Sequence, residues 1–288
     1  MHISRMTRLI ENCPICGNKE QTSIAQHPEL SFVKCPCGII YKSVDNLMTP
    51  DQKEYDSSYF ASENKASKSS YEKRRWRRIQ KSRRQIRDAL EHIPPGPVLD
   101  IGCSLGYTLQ AAKQLGLDAT GMDVSDFAVT KCKEQGFEAC VGTINEPLPF
   151  ADDSFQLVVM KHVLEHTPEP QKILSEIKRI LKPGGGVFIA VPHAEYYKAI
   201  RSPQTYHFFL PERAGKEHDI YYKPETLSKL LEREGYLVHR VYPHLLHRRA
   251  PMKNVFLELM ALPFYALYNF AVRRFKLHKE FTVVASVS

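Results

Sequence analysis

The segment Val98-Leu99-Asp100-Ile101-Gly102-Cys103-Ser104-Leu105-Gly106-Tyr107 constrains this chain more than any other. A short, largely apolar run with strand character enters a turn carrying two glycines, and a helical pattern over Leu105–Leu115 begins at once. A buried strand delivered straight into a helix is the start of a βαβ unit, and hence of a parallel sheet. Gly102 lets the backbone approach a ligand closely, and Gly106 lets the new helix sit tight against the sheet. The N–H groups at that helix start can receive an anionic group.

The pattern downstream repeats the alternation. Apolar runs predict strands at Val98–Ile101, Ala119–Asp123, Ala139–Val141, Phe155–Met160 and Val187–Val191. Helices are predicted at Asp126–Gln135 and Pro170–Leu181, with Lys182-Pro183-Gly184-Gly185-Gly186 as the turn into the fifth strand. A helix at Pro224–Glu234 and strands at Tyr236–Val241 and Phe281–Val287 complete the reading, with no internal repeat and no low-complexity tract.

Asp123 closes the second strand 23 residues after Asp100. A carboxylate there can take both hydroxyls of a ribose; capping of the next helix is the structural alternative. The spacing is Asp-x-Gly-x-Ser-x-Gly rather than Gly-x-Gly-x-x-Gly. Asp100 would repel a pyrophosphate but can pair with an ammonium group, as at the methionine end of S-adenosylmethionine.

Five segments occur in order: Leu99–Gly106; Gly121-Met122-Asp123-Val124-Ser125; Leu148-Pro149-Phe150-Ala151-Asp152-Asp153-Ser154-Phe155; His162-Val163-Leu164-Glu165-His166; and Leu181-Lys182-Pro183-Gly184-Gly185-Gly186. Together they resemble the ordered motifs of class I S-adenosylmethionine-dependent methyltransferases over about 98–192. The resemblance implies a Rossmann-like α/β fold with a seven-stranded, mostly parallel sheet whose last strand is antiparallel. It implies that Asp100, Gly102 and Gly106 cradle the methionine portion, and that Cys103, Ser104, Val124 and Lys161 also contact the cofactor. Asp123 would then take the ribose, and Thr143, Ile144 and Asn145 the adenine, without the acid often found there. Ser104, where a glycine is common, can cap the following helix.

Methyl transfer from a sulfonium is an in-line displacement that demands alignment and sometimes removal of a proton. Histidine suits the second task, so His162, His166, His193 and His218 are the catalytic candidates. Glu165-His166 also resembles the metal-binding Glu-x-x-Glu-His of ubiquinone-pathway O-methyltransferases, with His162 in place of the first Glu; local hydrogen bonding is the plainer reading. The aromatic stretch Tyr196–Tyr222 reads as an acceptor lid or as a packed helical insertion.

Of seven cysteines, four cluster before residue 40. With no signal-peptide pattern at the N-terminus, a cytoplasmic, reducing setting is expected, and such a cluster reads as a metal site. Cys13-Pro14-Ile15-Cys16-Gly17 has the spacing of a zinc knuckle, and Cys35-Pro36-Cys37-Gly38 is one residue shorter than the usual second knuckle. Structural zinc on Cys13, Cys16, Cys35 and Cys37 is the expectation, and a metal-free ribbon the alternative.

The net charge is +8, and between Tyr71 and Arg87 nine cations face one acid, so the remainder is balanced. Trp76, Ile79, Ile86, Leu90 and Ile93 form an apolar stripe on this basic helix. Its cations read as a solvated face or, less favoured, as a phosphate-binding surface for nucleic acid. Val255–Val272 is apolar but short and interrupted for a membrane crossing. With the cations that follow, residues 251–279 could lie on a membrane surface, or else form a buried hairpin or dimer contact.

The organisation expected is a zinc-ribbon-like knuckle (1–48), a linker with a basic amphipathic helix (49–95), a cofactor-binding core (96–195), an acceptor lid with the sixth strand (196–250), and an apolar segment with the terminal strand (251–288). The function expected is methylation, at oxygen, of a small-molecule or lipid- or glycan-linked acceptor. An RNA base methyltransferase and a non-catalytic binding protein on the same fold are the alternatives.

Overall fold

The computed structural model describes residues 7–27, 30–46, 68–196, 218–243, 267, 270 and 279–288. Most of the aromatic stretch after Tyr196, the aromatic positions near Tyr55 and most of the apolar C-terminal segment lie outside these residues. Leu267 and Phe270, the two described positions of that segment, are helical and exposed. Among the described residues no helix is long and apolar enough to cross a membrane.

The N-terminal part contributes β1 (Thr7–Leu9), β2 (Thr22–His27), β3 (Leu30–Lys34), β4 (Ile40–Lys42) and β5 (Val44–Asn46). Helix α1 (Lys68–Leu90) follows. The core alternates β6 (Val98–Ile101), α2 (Tyr107–Lys113), β7 (Ala119–Asp123), α3 (Asp126–Glu134), β8 (Glu138–Val141), β9 (Phe155–Lys161), α4 (Pro170–Ile180) and β10 (Leu181–Pro192). The chain closes with β11 (Ile220–Tyr221), α5 (Pro224–Arg233), β12 (Tyr236–Pro243) and β13 (Glu280–Val287).

The central sheet has seven strands in the order β8-β7-β6-β9-β10-β13-β12. Strands β6 to β10 pair in parallel, and β13 is antiparallel to both neighbours. This is the Rossmann-like arrangement expected, with Phe281–Val287 in the terminal strand. Side chains alternate between its faces, because successive residues of a strand point to opposite sides. Leu157, Val159, Phe188 and Ala190 pack against Ile79, Ile86 and Ala89 of α1 and Ala111 and Ala112 of α2. Val158, Met160, Ile189 and Val191 face α4, α5 and the cysteine-bearing ribbon.

Three local readings need correction. Trp76 is 57% exposed and does not belong to the buried stripe, which consists of Ile79 and Ile86 of α1 and Ile93 just beyond it, with Leu90 at its margin. Lys182–Gly186 is not a separate turn: it lies inside β10, whose register slips between Leu181 and Gly186. Ser104 does not cap α2; Gly106 occupies the N-cap in left-handed conformation without a side-chain bond.

The ribbon is joined to the core by hydrogen bonds as well as packing. Its sheet runs β11-β4-β3-β2, so one of four strands comes from beyond the core, with Ile220 opposite Tyr41 and Tyr221 opposite Ile40. Thr226 Oγ1 donates to the Cys37 carbonyl, Arg233 to that of Ile15, and Gln171 to that of Pro14. These bonds seat both knuckles on α4 and α5.

Candidate active site

The site forms where β6, β7 and β9 end. The Gly102 and Cys103 N–H groups both donate to the Met122 carbonyl (2.7 and 3.1 Å), so the turn folds against β7. Gly102 has φ +75°, and a Cβ there would stand 2.5 Å from Val163 Cγ2; only glycine fits. A Cβ at Gly106 would stand 3.2 Å from Cys132 Sγ, so this glycine lets the start of α2 approach α3, not the sheet as expected.

Two cavities meet at this turn, of about 260 and 280 Å³. Gly102, Ser104, Lys161 and His162 line both. The first also has Asp123, Val124, Thr143, Ile144, Asn145 and His166 in its wall. The second has Asp100, Cys103, Thr108 and, from α1, Arg78, Lys81 and Gln85. Every residue singled out for cofactor contact therefore borders one lobe or the other, except Gly106.

The two carboxylates have different settings. Asp123 Oδ2 accepts the Ser104 N–H (2.8 Å) and Oδ1 the Ser125 N–H (3.0 Å), while the Ser125 hydroxyl caps α3 by accepting from Ala128. Burial raises the Asp123 carboxyl, and those N–H donors pull it back. Asp100 is buried, and its desolvation pushes it up to about 7 despite the Lys161 ammonium and a hydrogen bond from Thr108. Lys161 Nζ donates to Ser82 Oγ (2.9 Å) and Thr108 Oγ1 (2.6 Å), and burial lowers its affinity for a proton. Ser82 and Thr108 carried no sequence signal, because small hydroxyl residues on two separate helices acquire meaning only when the helices are packed.

The opposite wall holds imidazoles around one acid. Glu165 is fully buried. His162, at φ +57°, brings Nδ1 to 3.3 Å from Glu165 and Nε2 to 2.6 Å from Glu280. A side chain at positive φ is costly and marks a place where the surroundings dictate the backbone. Burial opposes the charge on His162, but the two carboxylates outweigh it and hold the imidazole up to about 10. Burial raises Glu165, and its bond with the charged His162 outweighs this and brings it below its ordinary value. His166 is pushed down by burial, and His218 behind it to about 3. Their rings meet edge to face at 5.0 Å.

Four histidines were candidates, and two reach the cleft. His162 and His166 line it, whereas His218 stands behind His166 and His193 is buried against Phe281. The ligand atoms of Glu165, His166 and His218 lie within 4.8 Å of one another. Glu280 escaped notice, since nothing in the sequence links it to a histidine 118 positions earlier.

The four N-terminal cysteine sulfurs converge, all within 4.8 Å of one another, with Cys13 3.7 Å from Cys37 and Cys16 3.4 Å from Cys35. Four thiolates at about 2.3 Å from a tetrahedral zinc would be about 3.8 Å apart. The short second knuckle closes this set, and the residues fit a structural zinc.

Residues 99–189 match the family model described as a methyltransferase domain. A demethylmenaquinone methyltransferase of Renibacterium salmoninarum is 34% identical over 119 residues, 41% of this chain and 47% of that protein. A ubiquinone biosynthesis O-methyltransferase of Paraburkholderia phymatum is 34% identical over 110 residues, 36% and 47% of the two chains. The chain thus spans about half the length of these curated relatives. Among solved structures, the complex of the Haloferax volcanii Trm112 activator with a methyltransferase aligns at TM-score 0.51 and 22% identity, covering 74% of this chain and 93% of that one. A Listeria monocytogenes protein assigned as an S-adenosylmethionine-dependent methyltransferase aligns at 0.50 and 18%, covering 72% and 98%. With the strand order and the glycine turn, residues 99–189 form a methyltransferase domain on a Rossmann-like fold.

Proposed function

We propose that the chain transfers a methyl group from S-adenosylmethionine to a hydroxyl oxygen of a small molecule. The observation that carries this reading is the bipartite cleft at the strand ends, with a backbone-anchored carboxylate in one lobe and a buried carboxylate in the other. Asp123 keeps lone pairs for the ribose hydroxyls, and Thr143–Asn145 border the space for the base. Ionised Asp100 complements the ammonium group beyond the glycine turn. The cofactor supplies the electrophilic methyl, and the cleft sets the approach of the acceptor.

His162 and His166 take different parts. His162, charged between two carboxylates, donates hydrogen bonds and holds its wall in place. His166, kept neutral by burial, borders the cofactor lobe and can accept the acceptor's proton. The names of the quinone-pathway relatives support a small-molecule acceptor, and those of the O-methyltransferases among them support oxygen. An RNA acceptor is less well supported: Arg78 lies over the Tyr107 ring and Lys81 pairs with Glu280, so these helix cations serve the cleft.

Calorimetry with S-adenosylmethionine is the first test, with micromolar binding expected for the intact protein. Incubation with methyl-deuterated cofactor and separate small-molecule, lipid and RNA fractions then locates the label by mass spectrometry. Label in the small-molecule fraction supports the proposal. Label in RNA, or no cofactor binding, overturns it.

A further inference from the structure

Among the described residues, the ribbon reaches the histidine wall through the short segment 218–222. Asp219 donates its N–H to the Glu165 carbonyl (2.7 Å), and the Tyr222 hydroxyl donates to that of Leu164 (3.3 Å). His218 lies edge-on to His166 and to Tyr221, and Tyr221 packs edge-on against Phe32 of the ribbon. From the other side, the Lys42 N–H donates to the Asp219 carbonyl (3.0 Å) and Lys42 Nζ pairs with its carboxylate at 2.8 Å. The Lys42 side chain is only 9% exposed, and its Asp219 partner is half-buried at 31%. Without β4, the two-residue strand β11 would have no sheet to join.

We propose that the cysteine ribbon is a positioning element of the acceptor wall. Zinc on Cys13, Cys16, Cys35 and Cys37 fixes β4. Strand β4 and Lys42 then hold the 218–222 segment against Glu165 and thereby set His218 behind His166. Lys42 acts through Asp219 and touches no reacting atom. The inference rests on the preceding section only in naming this wall as the acceptor side; the mechanical claim is independent of it.

The test is hydrogen exchange of the full-length protein, read by mass spectrometry with and without prior removal of zinc by a chelator. Amides of 219–222 should exchange roughly tenfold or more faster after zinc removal, while those of β6 and β9 change little. Affinity for S-adenosylmethionine should stay within about twofold, since the cofactor lobe does not touch the ribbon. In the zinc-loaded protein, Lys42→Met should accelerate the same amides and Lys42→Arg should restore their protection. The proposal is overturned by unchanged exchange at 219–222 after measured zinc loss, by purified protein containing no zinc, or by Lys42→Met behaving like the parent. If zinc removal unfolds the whole chain, the Lys42 pair of variants decides. A chain that shows the exchange response but binds no cofactor would leave this inference standing while removing the proposed function.

Discussion

The glycine-turn wall of the cleft lies within residues 98–125, whereas the histidine wall gathers 162–166, 218–222 and Glu280 and is braced by Lys42, 177 positions from its ion-pair partner. The first is made by backbone: a turn closed on β7, and a carboxylate gripped by two N–H groups. The second is made by side chains that compensate one another's charge around a buried acid. A backbone wall tolerates little change in shape and a charge-balanced wall little change in ionisation. The two should therefore fail in different ways.

The largest effect is expected at the turn. Gly102→Val puts a branched side chain onto Val163 at positive φ, at a cost of about 2 kcal/mol or more in stability. Cofactor binding should fall below detection in calorimetry. Asp123→Ala should come next: it removes the carboxylate proposed to take the ribose and strands two N–H donors, and affinity should drop roughly 100-fold. Binding within threefold of the parent would show that the backbone wall does not hold the nucleoside.

Glu165→Gln probes the other wall. The His162 imidazole, which Glu165 and Glu280 hold up to about 10, should titrate well below that when followed by NMR and move towards the ordinary value of about 6.5. Cofactor affinity should change little, which separates the walls. An unmoved His162 would mean that Glu280 alone holds its charge.

A smaller effect concerns pH. Asp100 has its folded value raised to about 7, above an unfolded value of about 3.9, so the folded protein holds that proton more tightly. Its contribution to stability is complete below about pH 4 and is lost as pH rises through about 7. The proposed pairing of Asp100 with a cofactor ammonium needs the ionised form, so affinity should strengthen several-fold from pH 6 to 8. Asp100→Asn should flatten both dependences. The smallest effect is expected for Trp76→Ala, whose exposed ring should cost less than about 0.5 kcal/mol in thermal unfolding.

How far each wall could be read follows from the same contrast. The turn, Asp100, Asp123 and the strand alternation were legible because each is a local pattern in consecutive residues. The zinc cluster was legible from spacing, even with its second knuckle short. His193 reads like His166 in the sequence, as a histidine following an apolar strand, yet it packs against Phe281 while His166 lines the cleft. Trp76 fits a helical stripe by periodicity, but the stripe's exposed margin begins before Ile79.

By itself the sequence determined the alternation of strands and helices, the glycine that only a tight turn needs, and the two carboxylates at the strand tips. Those follow from backbone sterics and side-chain period, which act over a few residues. Only the tertiary structure decided that Glu280 shares His162 with Glu165, that Lys161 rests on Ser82 and Thr108, and that Lys42 reaches Asp219. Charge and hydrogen bonding act through space, and no local pattern along the chain reveals which distant groups meet in a medium dry enough to make their pairing count.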